Sequence, residues 1–243
     1  MEHLLKKIYR DSMHKTNLLS LFTNPYFIIR RALWKQISKQ SKEINGFILD
    51  FGCGAKPYLD AFKNSTDYIG LDIKESGHSH INSKVDVYYD GFTIPFPDNY
   101  FDNVVSFEVF EHVPNPEAML KELNRVLKPK GTLLVTTPFF YPEHEMPFDF
   151  QRFTEPGMKR LLEICEFHPV SIIKTNNNLS SLTQIFCEEL FQLHKMQRIP
   201  IIKVVVMPVV FLTNILVLLS ACVPVIQARS YSNLITIAKS LKS

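Results

Sequence analysis

Hydrophobic positions along the chain follow two rhythms. Short apolar runs at 46–51, 68–73, 85–89, 103–107, 132–137, 168–174 and 233–238 are bounded by polar or glycine-bearing turns, and they predict strands. Between several of them the apolar residues recur every three or four positions, which predicts helices. "NPYFIIRRALWKQI" opens with Asn24 as cap and Pro25 in the first turn, and it lines Ile29, Leu33 and Ile37 along one face. "NPEAMLKELNRVL", capped by Asn115, turns Leu120, Leu123 and Leu127 inward. "TEPGMKRLLEIC", capped by Thr154, keeps Met158, Leu161, Leu162 and Cys165 in register. Strands alternating with helices predict an α/β fold with a parallel sheet covered on both faces.

One stretch breaks this pattern. No side chain from Val204 to Ala228 is charged. Pro208 and Pro224 leave about fifteen residues of uninterrupted helix, roughly 22 Å against a hydrocarbon core of ~30 Å. A single crossing would also part the strand at 233–238 from its sheet. Residues 179–228 are therefore read as an apolar helical insertion before the last strand of a domain spanning 44–243, with a basic helical extension over 1–43 ahead of it. Three roles stay open for the insertion: a lid, a peripheral membrane contact through 200–228, and a homodimer interface.

Charge and cysteine content narrow the setting. A formal net charge of +3 over 243 residues gives no reason to expect a nucleic-acid partner. The N-terminal part is more basic. Lys6, Lys7, Arg10, Lys15, Arg30, Arg31, Lys35, Lys39 and Lys42 face only Glu2, Asp11 and Glu43 before residue 45. Such a start suits an anionic membrane surface or the solvated face of a packing helix. Cys53, Cys165, Cys187 and Cys222 form no CxxC pair, as expected of reduced thiols, and the first fifteen residues lack the apolar core of a secretory signal. The expected location is the cytoplasm, on the inner face of the membrane if the insertion touches lipid.

The chemistry starts at "FILDFGCGAKPY", residues 47–58. A strand ending in Gly-x-Gly and feeding a helix offers backbone amides to an anion, at the sheet edge where α/β folds hold ligands. Asp72, ending the next strand, is placed to accept from ribose hydroxyls. A dinucleotide and S-adenosylmethionine both fit this outline. Pro57 stands where the dinucleotide fingerprint needs a third glycine, and Asp50 suits an ammonium better than a pyrophosphate. The balance favours S-adenosylmethionine.

"ILDFGCGAKPY", "YIGLDI", "DGFTIPFPDNYFDNVVSFEVFEHV" and "ELNRVLKPKGTLLVTTP" together resemble the class I S-adenosylmethionine-dependent methyltransferases, in their ubiquinone/menaquinone branch, over residues 46 to 175. The resemblance implies a Rossmann-like, seven-stranded mixed sheet in the order 3-2-1-4-5-7-6 with helices on both faces. It implies that Asp50, Gly52 and Gly54, with Phe51 and Cys53 between them, meet the methionine part of the cofactor. Asp72 and Ile73 would meet the ribose, Asp90, Gly91 and Phe92 the adenine, and Phe107 and Glu108 would lie beneath the sulfonium. The second reading of Asp90, behind the adenine contact, is a turn residue before Gly91. Ala55 and "KPKG" depart from the common spelling without removing a cofactor contact.

Acceptor groups are expected after the fourth and fifth strands. Glu108, Glu111 and His112 stand at i, i+3 and i+4, one face of a helical turn. E-x-x-E-H resembles the metal-binding motif of small-RNA terminal methyltransferases and ubiquinone-biosynthesis O-methyltransferases, which implies magnesium or manganese on Glu108, Glu111, His112 and His144. In the metal-free reading His144 or His112 is the general base, with Glu108 beside them. The plainer reading makes Glu-His a brace for the next helix and His144 a solvated loop residue between Glu143 and Glu145. "PFDFQRFT" with "GMKRLLEICEF" resembles enzymes of cell-envelope glycan and lipid pathways. Arg152 either binds an anionic acceptor or pairs with Glu155 or Asp149. Phe139, Phe140, Tyr141, Phe148 and Phe150 wall a pocket or pack as a lid. The expected activity is O-methylation of a small-molecule, glycan or lipid-linked acceptor. The alternatives are a membrane-attached S-adenosylmethionine-binding protein without catalysis and, more remotely, a nicotinamide-dependent oxidoreductase.

Overall fold

The computed structural model describes residues 21, 24, 26–75, 83–176, 179–196, 200–220 and 230–243. The chain divides into two compact units, Met1–Lys35 with Lys174–Asn233, and Gln36–Ile173 with Leu234–Ser243.

The larger unit is built on a seven-stranded sheet: β1 (Gly46–Phe51), β2 (Ser65–Ile73), β3 (Val87–Tyr89), β4 (Phe101–Phe107), β5 (Leu127–Pro138), β6 (Phe167–Thr175) and β7 (Asn233–Ser240). Their order is β3-β2-β1-β4-β5-β7-β6. This is the order implied by the resemblance. The β1–β2, β1–β4, β2–β3 and β4–β5 pairs are parallel, with Asp50 opposite Gly70 on one side and Val105 on the other. Ile48, Leu49, Val104, Val105 and Leu134 have no exposed surface, as the near-continuous apolar runs of these central strands require.

Helix α1 (Phe27–Gln40) starts at Asn24, whose Oδ1 accepts from the Tyr26 amide at 2.8 Å. Helix α2 (Pro116–Val126) is capped by Asn115, its Oδ1 accepting from Ala118 N at 3.0 Å. Helix α3 (Glu155–Ile164) is capped by Thr154, whose Oγ1 accepts from Gly157 N. Asn124 of α2 ties the returning strand down: it donates to Cys165 O at 3.0 Å and accepts from Ser240 Oγ at 2.7 Å.

Leu127 opens β5 instead of ending α2, because Pro129 bars Lys128 from helical geometry. The helix expected after the glycine loop is also absent. Only a 3-10 turn, Leu59–Ala61, lies between β1 and β2, since Gly52, Gly54 and Lys56 all take positive φ and little chain remains before Ser65. Much of the polar link "KESGHSHINSK" lies outside the described residues.

The smaller unit holds the first part of α1 with α4 (Leu179–Met196) and α5 (Pro200–Ser220), which pack on each other. Phe27 and Ile28 of α1 bury against Val217, flanked by Leu21 and Leu218. Asn214 Nδ2 donates to the Leu21 carbonyl at 2.9 Å. Helix α5 runs through Pro208 instead of starting after it; Pro224 lies outside the described residues. No helix among the described residues is long and apolar enough to cross a membrane.

Candidate active site

Strand β1 delivers Asp50 into the sheet, 1 % exposed, and then turns away through Gly52 at φ 72°. The Gly52 and Cys53 amides both reach the Leu71 carbonyl, at 2.8 and 3.1 Å, so the loop is moored to β2. The Gly54 amide donates to Asp72 Oδ2 at 2.9 Å, while Asp72 Oδ1 accepts from Ile73 N at 2.8 Å. A Cβ on Gly54 would meet nothing within 4 Å, whereas one on Gly52 would lie 2.4 Å from Val109 Cγ2. The first glycine is thus closed by protein and the second opens onto free space, a cradle beside the buried carboxylates of Asp50 and Asp72.

Burial pushes the Asp50 carboxyl up to about 7, against the pull of a hydrogen bond from Tyr68 Oη at 2.8 Å. Lys56 bends back beneath the loop to pair with Asp86, whose Oδ2 also takes the Gly70 amide at 2.6 Å. Gly70 has no side chain because a Cβ there would lie 2.4 Å from Lys56 Cε and 2.6 Å from Cys53 Sγ. Phe51 packs on Tyr89 and Phe110, and Cys53 is 2 % exposed, its thiol pushed up by burial. Both side chains are core, which leaves their backbone as the part that can face a ligand.

Asp90 Oδ1 accepts from the Phe92 and Thr93 amides, both at 2.8 Å. The Thr93 amide first, and Phe92's with it, hold this carboxyl below its ordinary range. Asp90 therefore does serve the turn. Gly91 follows at φ 88°, close to Ile73, and Phe92 is 81 % exposed. Phe107 lies under Tyr58 at a ring separation of 4.7 Å.

The end of β4 is strained. Glu108 has φ 56°, and its amide is held by the Thr136 carbonyl and hydroxyl, each at 3.1 Å. The 3-10 turn Phe110–His112 follows, and it separates the residues expected on one helical face. The group able to share an ion among the described residues is Glu111, His112 and His144, with one ligand atom of each within 4.8 Å of the others; Glu108 is outside it. Glu111 has no exposed surface, and neither carboxylate oxygen has a hydrogen-bond partner. Burial, with the charge of Glu108 added, pushes its carboxyl well above the usual range. His112 Nδ1 faces the Phe148 carbonyl at 2.9 Å, and His144 Nδ1 faces the Pro142 carbonyl at 3.2 Å. A carbonyl opposite each Nδ1 favours the tautomer with its proton there and the lone pair on Nε2.

The segment after β5 is laced to this turn. Phe150 N donates to Glu111 O at 2.9 Å, and Gln151 Nε2 bridges the carbonyls of Phe110 and Val113. Arg152 forks onto Asp149, Nη2 to Oδ2 at 2.8 Å, which decides its pairing in favour of Asp149 over Glu155. Although burial opposes it, that fork holds Asp149 down to about 2. His144 is half-buried beside Tyr141 and His112, not solvated between Glu143 and Glu145; burial, then His112, keep it below the usual histidine range. Tyr68, Lys56, Asp149 and Gln151 escaped the sequence reading as site residues. A buried acid at 50 needs a donor, and Tyr68 is the one same-face position on β2 that can supply it.

Residues 49–135 match the family described as a methyltransferase domain. A Mycolicibacterium smegmatis protein named a probable S-adenosylmethionine-dependent methyltransferase is 32 % identical over 127 residues, 49 % of this chain and 49 % of that protein. The demethylmenaquinone methyltransferase of Staphylococcus haemolyticus is 31 % identical over 119 residues, 42 % of this chain and 50 % of that one. The chain spans about half the length of these curated relatives. Among solved structures, the 4+2 cyclase SpnF superposes with a TM-score of 0.57 at 21 % identity, over 87 % of this chain and 80 % of its own. The matched residues 49–135 are thus similar to a methyltransferase domain, and they carry the glycine loop and the central strands of the sheet. Fold alone would not decide the reaction, as the cyclase illustrates.

Proposed function

We propose that this chain transfers the methyl group of S-adenosylmethionine to an oxygen atom of a small-molecule, glycan or lipid-linked acceptor. The observation that carries this reading is adjacency: Gly52 is backed directly by Val109, so the cradle at Gly54 adjoins the turn bearing Glu111 and His112. The cradle fits the cofactor, with open space at Gly54, an acid at Asp50 for its ammonium and Asp72 for its ribose. When bound, the cofactor supplies an electrophilic methyl on sulfur. The chain's task is to orient the acceptor in line with it, exclude water and take up the hydroxyl proton.

Glu111, His112 and His144 fit a divalent cation, magnesium or manganese. The orphaned carboxylate of Glu111 and the two backbone-fixed imidazoles make a three-ligand set. Such an ion would lower the pKa of a bound hydroxyl. Asp149 and Arg152 position His144 from behind; the Asp149 carboxylate takes the His144 amide at 2.9 Å.

The test is incubation of the protein with labelled S-adenosylmethionine and fractionated lipid, glycan and quinone extracts, with and without chelator. Label in an acid-stable, chelator-sensitive product supports the whole reading. Transfer unaffected by chelation removes the ion and leaves His144 as base. Cofactor binding without transfer to any fraction would make the chain a binding protein and overturn the reaction.

A further inference from the structure

Among the described side chains of α4 and α5, several polar ones are buried while several large apolar ones face water. Ser181, Gln184 and Glu188 of α4 and Thr213 and Asn214 of α5 are each 6 % exposed or less. Leu182 and Phe186 of α4 and Leu212, Leu216 and Leu219 of α5 are 55–62 % exposed. The spacings, i, i+4 and i, i+4, i+7, put each set on one face of its helix, and on α4 exposed Glu189 follows Phe186. A helix pair in water buries its leucines and solvates its glutamine, so this arrangement calls for an apolar neighbour.

Charge indicates which neighbour. Phe27 and Ile28, which pack against Val217 of α5, continue along the same stripe of α1 into Arg31, Trp34 and Lys35, all exposed. Helix α5 carries no acidic residue. Exposed leucines on α5, with arginine, lysine and a tryptophan exposed on the helix packed against it, match the layering of a bilayer surface, acyl chains below and anionic headgroups above. A second copy of the chain would cover the leucines but leave the cations facing one another.

We infer that the outer face of α4 and α5, with Arg31 and Lys35, seats on an anionic lipid surface and enters it without crossing. The inference is independent of which acceptor is methylated.

Full-length protein is floated with vesicles of phosphatidylcholine alone and with phosphatidylglycerol added, while the single tryptophan, Trp34, is followed by fluorescence. Flotation favouring the anionic vesicles, a blue shift of Trp34 and weakening by salt are expected. Leu212→Glu with Leu216→Glu should lower partitioning at least about tenfold, and Arg31→Glu with Lys35→Glu about tenfold on anionic vesicles only. These side chains are already exposed, so thermal unfolding and cofactor binding should not change. No flotation and no blue shift with either vesicle would overturn the inference, as would flotation indifferent to both pairs of substitutions. A concentration-dependent dimer broken by Leu216→Glu, without flotation, would give the face to a second copy instead.

Discussion

The phenol of Tyr68 donates to Asp50 Oδ2 at 2.8 Å across the β1–β2 pair, and the two residues form the buried floor of the glycine loop. Tyr68 is itself placed by Phe62, 5.7 Å away between ring centroids, and by the Lys56 ammonium over its face at 5.7 Å. The hydrogen bond favours the charged carboxylate, the form an ammonium ligand needs. Tyr68→Phe should therefore weaken S-adenosylmethionine binding about five- to tenfold at pH 7 and less at pH 9, with kcat nearly unchanged. Calorimetric titration at the two pH values checks this; an equal loss at both would deny Tyr68 its hold on the Asp50 proton.

Asp50 also sets a pH dependence whose sign can be worked out. Its folded-state pKa of about 7 stands above the ordinary 3.8. Between these values the folded chain keeps a proton that the unfolded chain has lost, so this group's contribution to stability falls as pH rises from 3.8 to about 7 and then levels. Cofactor affinity runs the opposite way, climbing up to about tenfold per pH unit until about 7. Asp50→Asn should flatten both curves, which thermal unfolding and titration between pH 5 and 8 would show.

The two loop glycines should fail differently. Gly52→Ala drives a Cβ into Val109 at a positive φ and should cost about 2–4 kcal/mol of stability. Gly54→Ala, strained in φ but meeting no neighbour, should cost about 1 kcal/mol while weakening the cofactor tenfold or more. Unfolding of the ligand-free protein separates the first variant, and cofactor titration the second.

Ion binding is predicted to follow the observed cluster and not the spelling of the motif. Manganese affinity, measured by calorimetry, should fall about a hundredfold in Glu111→Gln and His144→Ala and change little in Glu108→Gln. A large loss in the last variant would restore Glu108 as a ligand.

The strands, three of the helices and their caps were legible because hydrophobic rhythm and capping chemistry are local. The segment from Cys53 to Asn64 was not, since the expected helix is undone by positive φ angles at Gly52, Gly54 and Lys56, the last of which Gly-x-Gly does not announce. Spacing grouped Glu108 with Glu111 on the assumption of a regular turn, yet the β4 end is left-handed at Glu108 and its carboxylate falls outside the three-ligand group, where it acts on Glu111 by its charge. His144 reaches the site across the whole of α2 and β5, so sequence could nominate it only by resemblance. Asp149, Arg152 and Gln151 act by bracing carbonyls and a neighbouring ring, roles that leave no mark in spacing.

The lacing of Phe148, Phe150 and Gln151 onto residues 110–113 has a consequence for anyone re-engineering acceptor preference. The two segments behave as a single cassette: a transplant of 139–154 from another enzyme would arrive with the wrong stitches and drag His112 out of place. Only an exchange of both pieces together would carry a new preference across with its imidazoles still aligned.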